Sequence, residues 1–178
     1  FGAMFWSIVM HCKSRGAKAA KFHESITIEI IWTAIPFLIL VGMAIPSTAT
    51  LIKMDDTKNA ELVIKVTGYQ WKWKYEYMDQ DISFFSSLST PRDQIDNKAA
   101  KGKDYLLEVD NAVVIPTGKK VRFLVTANDV IHAWWVPQLA MKKDAIPGFI
   151  NELWTRVDEP GTYRGQCAEL CGKDHGFM

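Results

Sequence analysis

Three regimes of hydrophobic and polar patterning divide this chain. Residues 1–10 (Phe-Gly-Ala-Met-Phe-Trp-Ser-Ile-Val-Met) are uncharged, and as a helix they would rise about 15 Å, half of a hydrocarbon core. Lacking a basic leading region and a small-residue cleavage site, they read as the last half of a transmembrane helix (1–12), in a chain cut at both ends, and not as a signal peptide. A loop at 13–24 sets Lys13, Arg15, Lys18 and Lys21 against Glu24 alone; short positive loops stay on the inner side, so the next segment crosses outward. That segment is uncharged from Ile30 to Ile52, about 34 Å of helix. It has no polar face, and its Pro36 and Pro46 are tolerated in a membrane helix. The expected anchor is thus a transmembrane α-helical hairpin over 1–52, its first helix truncated and its second at about 26–52.

Charge returns over 53–60, which reads as a linker, and a third regime of short alternating runs occupies 61–178. In residues 61–78, Leu62, Ile64 and Val66 share one strand face opposite Lys65 and Thr67. Trp71, Trp73, Tyr75 and Tyr77 then fall on odd positions, and the change of parity predicts a bulge or bend near Gly68–Gln70. Residues 79–103 are polar and read as a long excursion. Further strands are expected at 105–115, 119–126, 149–157 and 162–166, with a turn at 158–161. Short strands without intervening helices predict an all-β Greek-key barrel or sandwich behind the anchor.

The 178 residues suffice for an anchor and one such domain, and a net charge of +1 offers no field for nucleic acid. Of three cysteines, Cys12 ends the first apolar run and reads as a small buried residue. The other two lie in the last twelve residues, Cys167-Ala-Glu169-Leu-Cys171-Gly-Lys-Asp-His175-Gly-Phe-Met178. Two thiols, an imidazole and a thioether in one short loop read first as a metal site. Thiolates four positions apart can turn toward a common point and share a pair of ions, each needing one more strong ligand. His175 follows on the loop, and His132 is the other histidine of the polar part of the chain. The thioether of Met178 is a soft, weak donor of the kind found axially in copper electron-transfer sites. The two cysteines alone are also compatible with a disulfide, or with a structural zinc shared with both histidines, but neither employs the methionine.

The loop C-A-E-L-C-G-K-D-H-G-F-M, with H-A-W-W-V-P (132–137) and K-D-A-I-P-G (143–148) upstream, closely resembles subunit II of the haem-copper cytochrome c oxidases. The resemblance implies a cupredoxin-like fold for 61–178 and a binuclear copper centre of the CuA type. Its ligands map onto His132, Cys167, Cys171, His175 and Met178, with the backbone carbonyl of Glu169 as the sixth. The carboxylate of Glu169 maps to a magnesium or manganese ion shared with subunit I. The segment G-Y-Q-W-K-W-K-Y-E-Y resembles the family's aromatic region and makes Trp71 the point where electrons arrive, although Tyr69 stands where many relatives have histidine. Glu29, in E-I-I-W-T, maps to the mouth of a proton path into subunit I.

The implied activity is transfer of electrons from cytochrome c to haem in subunit I, where oxygen is reduced to water with proton translocation. Haem belongs to that partner only, and subunit III and membrane lipid are further partners. Residues 53–178 carry 17 basic and 18 acidic side chains, so cytochrome c would be steered by local acids: Glu76, Asp79, Asp81 and Asp129. The expected setting is a bacterial cell membrane or mitochondrial inner membrane, with the copper domain on the periplasmic or intermembrane side. A nitrous oxide reductase would share the copper loop but need a histidine-rich catalytic domain, against four histidines here; a quinol oxidase subunit II would lack the thiolates. A tethered structural module with a disulfide or zinc would be colourless.

Overall fold

The computed structural model describes residues 1–18 and 21–178; Ala19 and Ala20 of the expected inner loop lie outside the described residues. The chain divides into two compact units, Phe1–Ala49 and Thr50–Met178.

The first unit holds helix α1 (Gly2–Met10), a 3-10 turn (Lys13–Arg15) and most of helix α2 (Ile26–Asp55). Neither helix has a buried residue. Phe37, Leu38, Ile39 and Leu40, which together sweep a full helical turn, are each more than half exposed (61, 66, 56 and 66%). Apolar side chains on every face suit hydrocarbon surroundings, and α2 is the described helix long and apolar enough to cross a membrane. Its last residues, Lys53 to Asp55, restore charge at the end of the apolar run. Cys12, expected to be buried, is partly exposed, with its thiol 3.1 Å from Ser14 Oγ.

The second unit is built from two sheets. The larger has the order β3-β2-β1-β4-β7, comprising β1 (Leu62–Tyr69), β2 (Lys72–Tyr77), β3 (Ile82–Ser86), β4 (Lys120–Ala127) and β7 (Asn151–Arg156). The smaller has the order β6-β5-β8, from β5 (His132–Val136), β6 (Met141–Ala145) and β8 (Gln166–Cys167). Strands β1 and β4 run parallel and the other pairs antiparallel. Alternation sends Val121, Phe123, Val125 and Ala127 inward from β4. The inner faces meet where the Trp134 ring lies 4.7 Å from that of Phe123 and the Trp134 indole donates to Tyr75 Oη at 3.0 Å. Full burial of a ring such as Phe123, 1% exposed, contributes about 1.5–3 kcal/mol. Burial also pushes the Tyr75 phenol up to about 12, so it stays a neutral partner for the indole.

Four expectations are corrected. The strand expected at 162–166 is reduced to the short β8, Gln166–Cys167. Residues 61–78 form a tight hairpin with Gln70 and Trp71 at its turn, and do not make one bent strand. The register Ile64↔Tyr77, Val66↔Tyr75, Gly68↔Trp73 explains the change of parity: even positions of β1 and odd positions of β2 share the buried face. The excursion at 79–103 contains β3 and a short helix α3 (Arg92–Ile95). No strand is described over 105–115, because its polar groups find partners other than a ladder. Val114 N–H donates to Tyr77 Oη at 2.9 Å, and Tyr77 O–H donates to Val114 C=O at 2.7 Å. The segment makes one isolated antiparallel bridge, Leu88↔Val109, outside both sheets.

Candidate metal centre

His132 begins β5 with a side chain that is fully buried. Three features fix its ring. Asp129 Oδ1 is 2.8 Å from His132 Nε2, while the same carboxylate accepts Gln70 N–H and Val130 N–H, each at 2.7 Å. Gly68 lies against the ring, and a Cβ there would stand 2.7 Å from His132 Cδ2. The edge of Trp73 packs on it as well, with ring centroids 5.9 Å apart. With Nε2 occupied by the carboxylate, Nδ1 faces the thiols, an arrangement typical of metal-ligating histidines.

Cys167 is the last residue of β8 and pairs with Trp134 of β5, which brings it beside His132. Its Sγ is 3.9 Å from His132 Nδ1, 3.8 Å from Cys171 Sγ and 3.3 Å from Glu169 O. Cys171 Sγ in turn is 3.5 Å from His175 Nδ1. The loop closes on itself where Cys167 N–H donates to Met178 C=O at 2.6 Å, and on the β1–β2 turn where Cys171 C=O accepts Gln70 Nε2 (2.9 Å) and Trp71 Nε1 (3.3 Å). Gly172, with φ +116°, permits this bend.

The donor atoms of His132, Cys167 and Cys171 lie within 4.8 Å of one another. A sulfur separation of 3.8 Å is far beyond the roughly 2.05 Å of a disulfide, and all three cysteines are free. Each imidazole faces a different thiol, so the donor set fits two ions bridged by a pair of thiolates. Burial opposes ionisation of Cys167, but His132 and the loop backbone outweigh it and bring the thiol down to about 6. Burial and the neighbouring Cys167 charge push Cys171 up to about 12. Burial works against charge on His132 too, yet the Cys167 and Asp129 partners raise its affinity for a proton. The two thiols are thus driven in opposite directions, Cys167 toward the thiolate and Cys171 toward the thiol.

Other expected residues have diverse surroundings. The main chain of Glu169 faces the thiols while its carboxylate is exposed. Met178 and Trp71 line one small cleft beside the loop. Glu29 is in the first turn of α2, in the other unit. Among the expected docking acids, Asp79 and Asp81 are exposed. Glu76 is paired with Lys74 (3.0 Å) and Lys65 (3.5 Å), and Asp129 is engaged with His132. Gly68 and Gln70 were missed as supports of the centre. The Asp129-x-x-His132 spacing was a readable signal for a carboxylate behind the imidazole, but Gly68 declares itself only in three dimensions.

Comparison with known proteins follows the same division of the chain. Residues 62–178 match the family described as cytochrome C oxidase subunit II, periplasmic domain, and residues 2–50 match the corresponding transmembrane domain. The probable cytochrome c oxidase subunit 2 of Rickettsia bellii (strain RML369-C) is 51% identical over 160 residues, 89% of this chain and 58% of the relative. The cytochrome c oxidase subunit 2 of Branchiostoma floridae is 48% identical over 151 residues, 85% of this chain and 64% of the relative. The chain therefore spans less than two thirds of the length of these relatives. The crystal structure of the periplasmic domain of subunit II of cytochrome oxidase (CoxB) of Bradyrhizobium japonicum is similar, with a TM-score of 0.60 and 43% identity. The match covers 68% of this chain and 82% of that one.

Proposed function

The chain belongs to the cytochrome c oxidase subunit II family, and from that footing we propose that it is the electron-accepting subunit of a membrane-bound oxidase. It would take electrons from cytochrome c and deliver them to a haem held by subunit I, where oxygen is reduced to water with proton translocation. The observation that carries this reading is the chain of contacts His132–Cys167–Cys171–His175, with each imidazole 3.5–3.9 Å from its own thiol.

His132, Cys167, Cys171, His175 and Met178, with the Glu169 carbonyl, would hold a copper pair. When bound, that pair supplies reversible one-electron storage with no open position for a substrate. The protein's own part is positional. Asp129 fixes the His132 tautomer and orientation, and the smaller sheet holds Cys167 opposite Trp134, two residues along β5 from His132. Such a frame keeps ligand movement small during electron transfer. Trp71 is half-buried and donates to the Cys171 carbonyl, which gives it a bonded contact from the surface to the loop and supports it as the residue where electrons arrive.

The exposed Glu169 carboxylate is free to serve a magnesium or manganese ion shared with subunit I. Asp79 and Asp81, with the partly compensated Glu76 and Asp129, would attract a basic cytochrome c surface. Glu29 would stand at the mouth of a proton path, and subunit III completes the set of membrane partners. The setting is a bacterial or mitochondrial inner membrane, with the copper domain outside.

The test is copper content and the electron paramagnetic resonance spectrum of the full chain loaded with copper. Two coppers per chain with one unpaired electron shared equally between them is the expected result. A single zinc, or no bound metal, would overturn the reading.

A further inference from the structure

The segment between β3 and β4 contains a strained residue that the metal site does not use. Leu106 has φ +63°, a left-handed conformation rare for a bulky side chain, and its N–H donates to Thr90 Oγ1 at 3.1 Å. The acids two positions to either side of it share one guanidinium: Arg164 Nη2 is 3.1 Å from Asp104 Oδ2 and 2.5 Å from Glu108 Oε1. Arg164 Nε is buried without a partner, so the clasp acts through Nη2. The Arg164 guanidinium holds the Glu108 carboxyl below its ordinary range. The base of the segment is pinned by Ser89 N–H to Glu108 C=O and Asp110 N–H to Ser87 C=O, both 3.0 Å. Thus Leu106 and Leu107 are carried as a short strap between two acids, and the arginine they grip lies three residues before Cys167.

The strap lies over the metal loop. Leu106, Leu107, Trp71, Phe177 and Met178 line a cleft of about 20 Å³, room for about one water molecule. We propose that Arg164 is a positioning residue for the metal loop. By clasping Asp104 and Glu108 it presses Leu106 and Leu107 over Trp71 and Met178 and keeps bulk water from the methionine end of the site. Neutralising the clasp lets the strap lift and wets the thioether while the β sheets stay folded.

Part of this inference rests on the reading of residues 167–178 as a metal loop, so the experiment has one arm without metal and one with it. In the metal-free full chain, peroxide oxidation of each methionine is followed by peptide mass spectrometry. Met78, 53% exposed, and Met141, 5% exposed, serve as open and closed references. Arg164→Gln should speed oxidation of Met178 roughly two- to fivefold, the scale an exposed ion-pair network supports, with Met78 and Met141 unchanged. The isosteric pair Asp104→Asn/Glu108→Gln should reproduce the effect, and Arg164→Lys should recover most of the protection. In the copper-loaded complex, Arg164→Gln should alter the paramagnetic resonance signature and Arg164→Lys restore it. Unchanged Met178 oxidation in both charge-removing variants overturns the proposal, and so does an equal rise at Met141, which would mean general loosening. A chain that binds no copper yet shows clasp-dependent protection of Met178 would sink the metal reading and leave the clasp standing.

Discussion

His132 and His175 flank the same pair of thiols, and the fold secures them by different means. His132 is completely buried, braced by Asp129, Gly68 and Trp73, and belongs to a strand. His175 is half-buried and opens a single 3-10 turn (His175–Phe177), held by loop contacts such as its N–H to Gly172 C=O at 3.2 Å. One side of the centre is set by the packing of strand and turn residues around His132. The other depends on the loop being drawn onto the β1–β2 turn through Cys171 C=O and onto β8 through Met178 C=O. Metal binding should therefore order the loop far more than the sheet, because loop closure and ligation are then one linked equilibrium.

Cutting the link between the two sides gives the largest expected effect. Cys167→Ser removes the sulfur that faces both His132 and Cys171, and should lower copper affinity by more than the 10–100-fold typical of losing an outer partner. Metal analysis after dialysis checks this; retention of two coppers would show that the loop side alone can hold the pair. Gly68→Ala attacks the sheet side, since its Cβ would meet His132 Cδ2 at 2.7 Å. Overpacking of this kind should cost about 1–3 kcal/mol in urea unfolding and displace the imidazole. Asp129→Asn removes the charge behind His132 and one of the two accepting oxygens, and should weaken metal binding roughly tenfold while costing about 1 kcal/mol in urea unfolding. Gln70→Ala probes the loop side: one bond to Cys171 C=O is lost while that of Trp71 remains, so stability should fall by about 1 kcal/mol. Faster hydrogen exchange should then appear in residues 171–178 and not in β5.

The same contrast explains what could be read from the sequence. The candidate ligands of the loop are adjacent in the chain, so Cys167, Cys171, His175 and Met178 could be read as a group, and α2 was legible because uncharged residues fill it from Ile30 to Ile52. Strands β4 and β7 followed from alternation. The sheet side was less legible because it is assembled from residues distant in sequence: Gly68, Gln70, Asp129 and His132 meet only after β1 and β4 pair in parallel. The parity change at residues 68–70 was seen but misassigned, since a two-residue hairpin and a bulge both shift which positions face inward. Residues 105–115 look like a strand by composition, yet Val114 bonds a side chain, Tyr77 Oη, which no periodicity encodes.

The smallest effect sharpens the comparison by testing the sheet without touching either histidine. Glu152 on β7 accepts from Arg122 of β4 and from Thr57 Oγ1 (2.9 Å), and Arg122 above all holds its carboxyl below the ordinary range. A lowered folded value means that the folded chain takes up this proton less readily than the unfolded one. The contribution is thus complete above the unfolded carboxylate value of about 4.3 and is lost as pH falls through the lower folded value. Glu152 is 37% exposed, so solvent screening limits it to a few tenths of a kcal/mol, ~0.5 at most. Urea midpoints measured from pH 7 downward should separate wild type from Glu152→Gln above about pH 4.5 and converge in stronger acid. Copper content at pH 7 should be the same in both, because this ion pair supports strands β4 and β7 and no ligand hangs from it. A loss of copper in Glu152→Gln would mean that strain in the large sheet reaches the thiols, and the two sides would then be one mechanical unit.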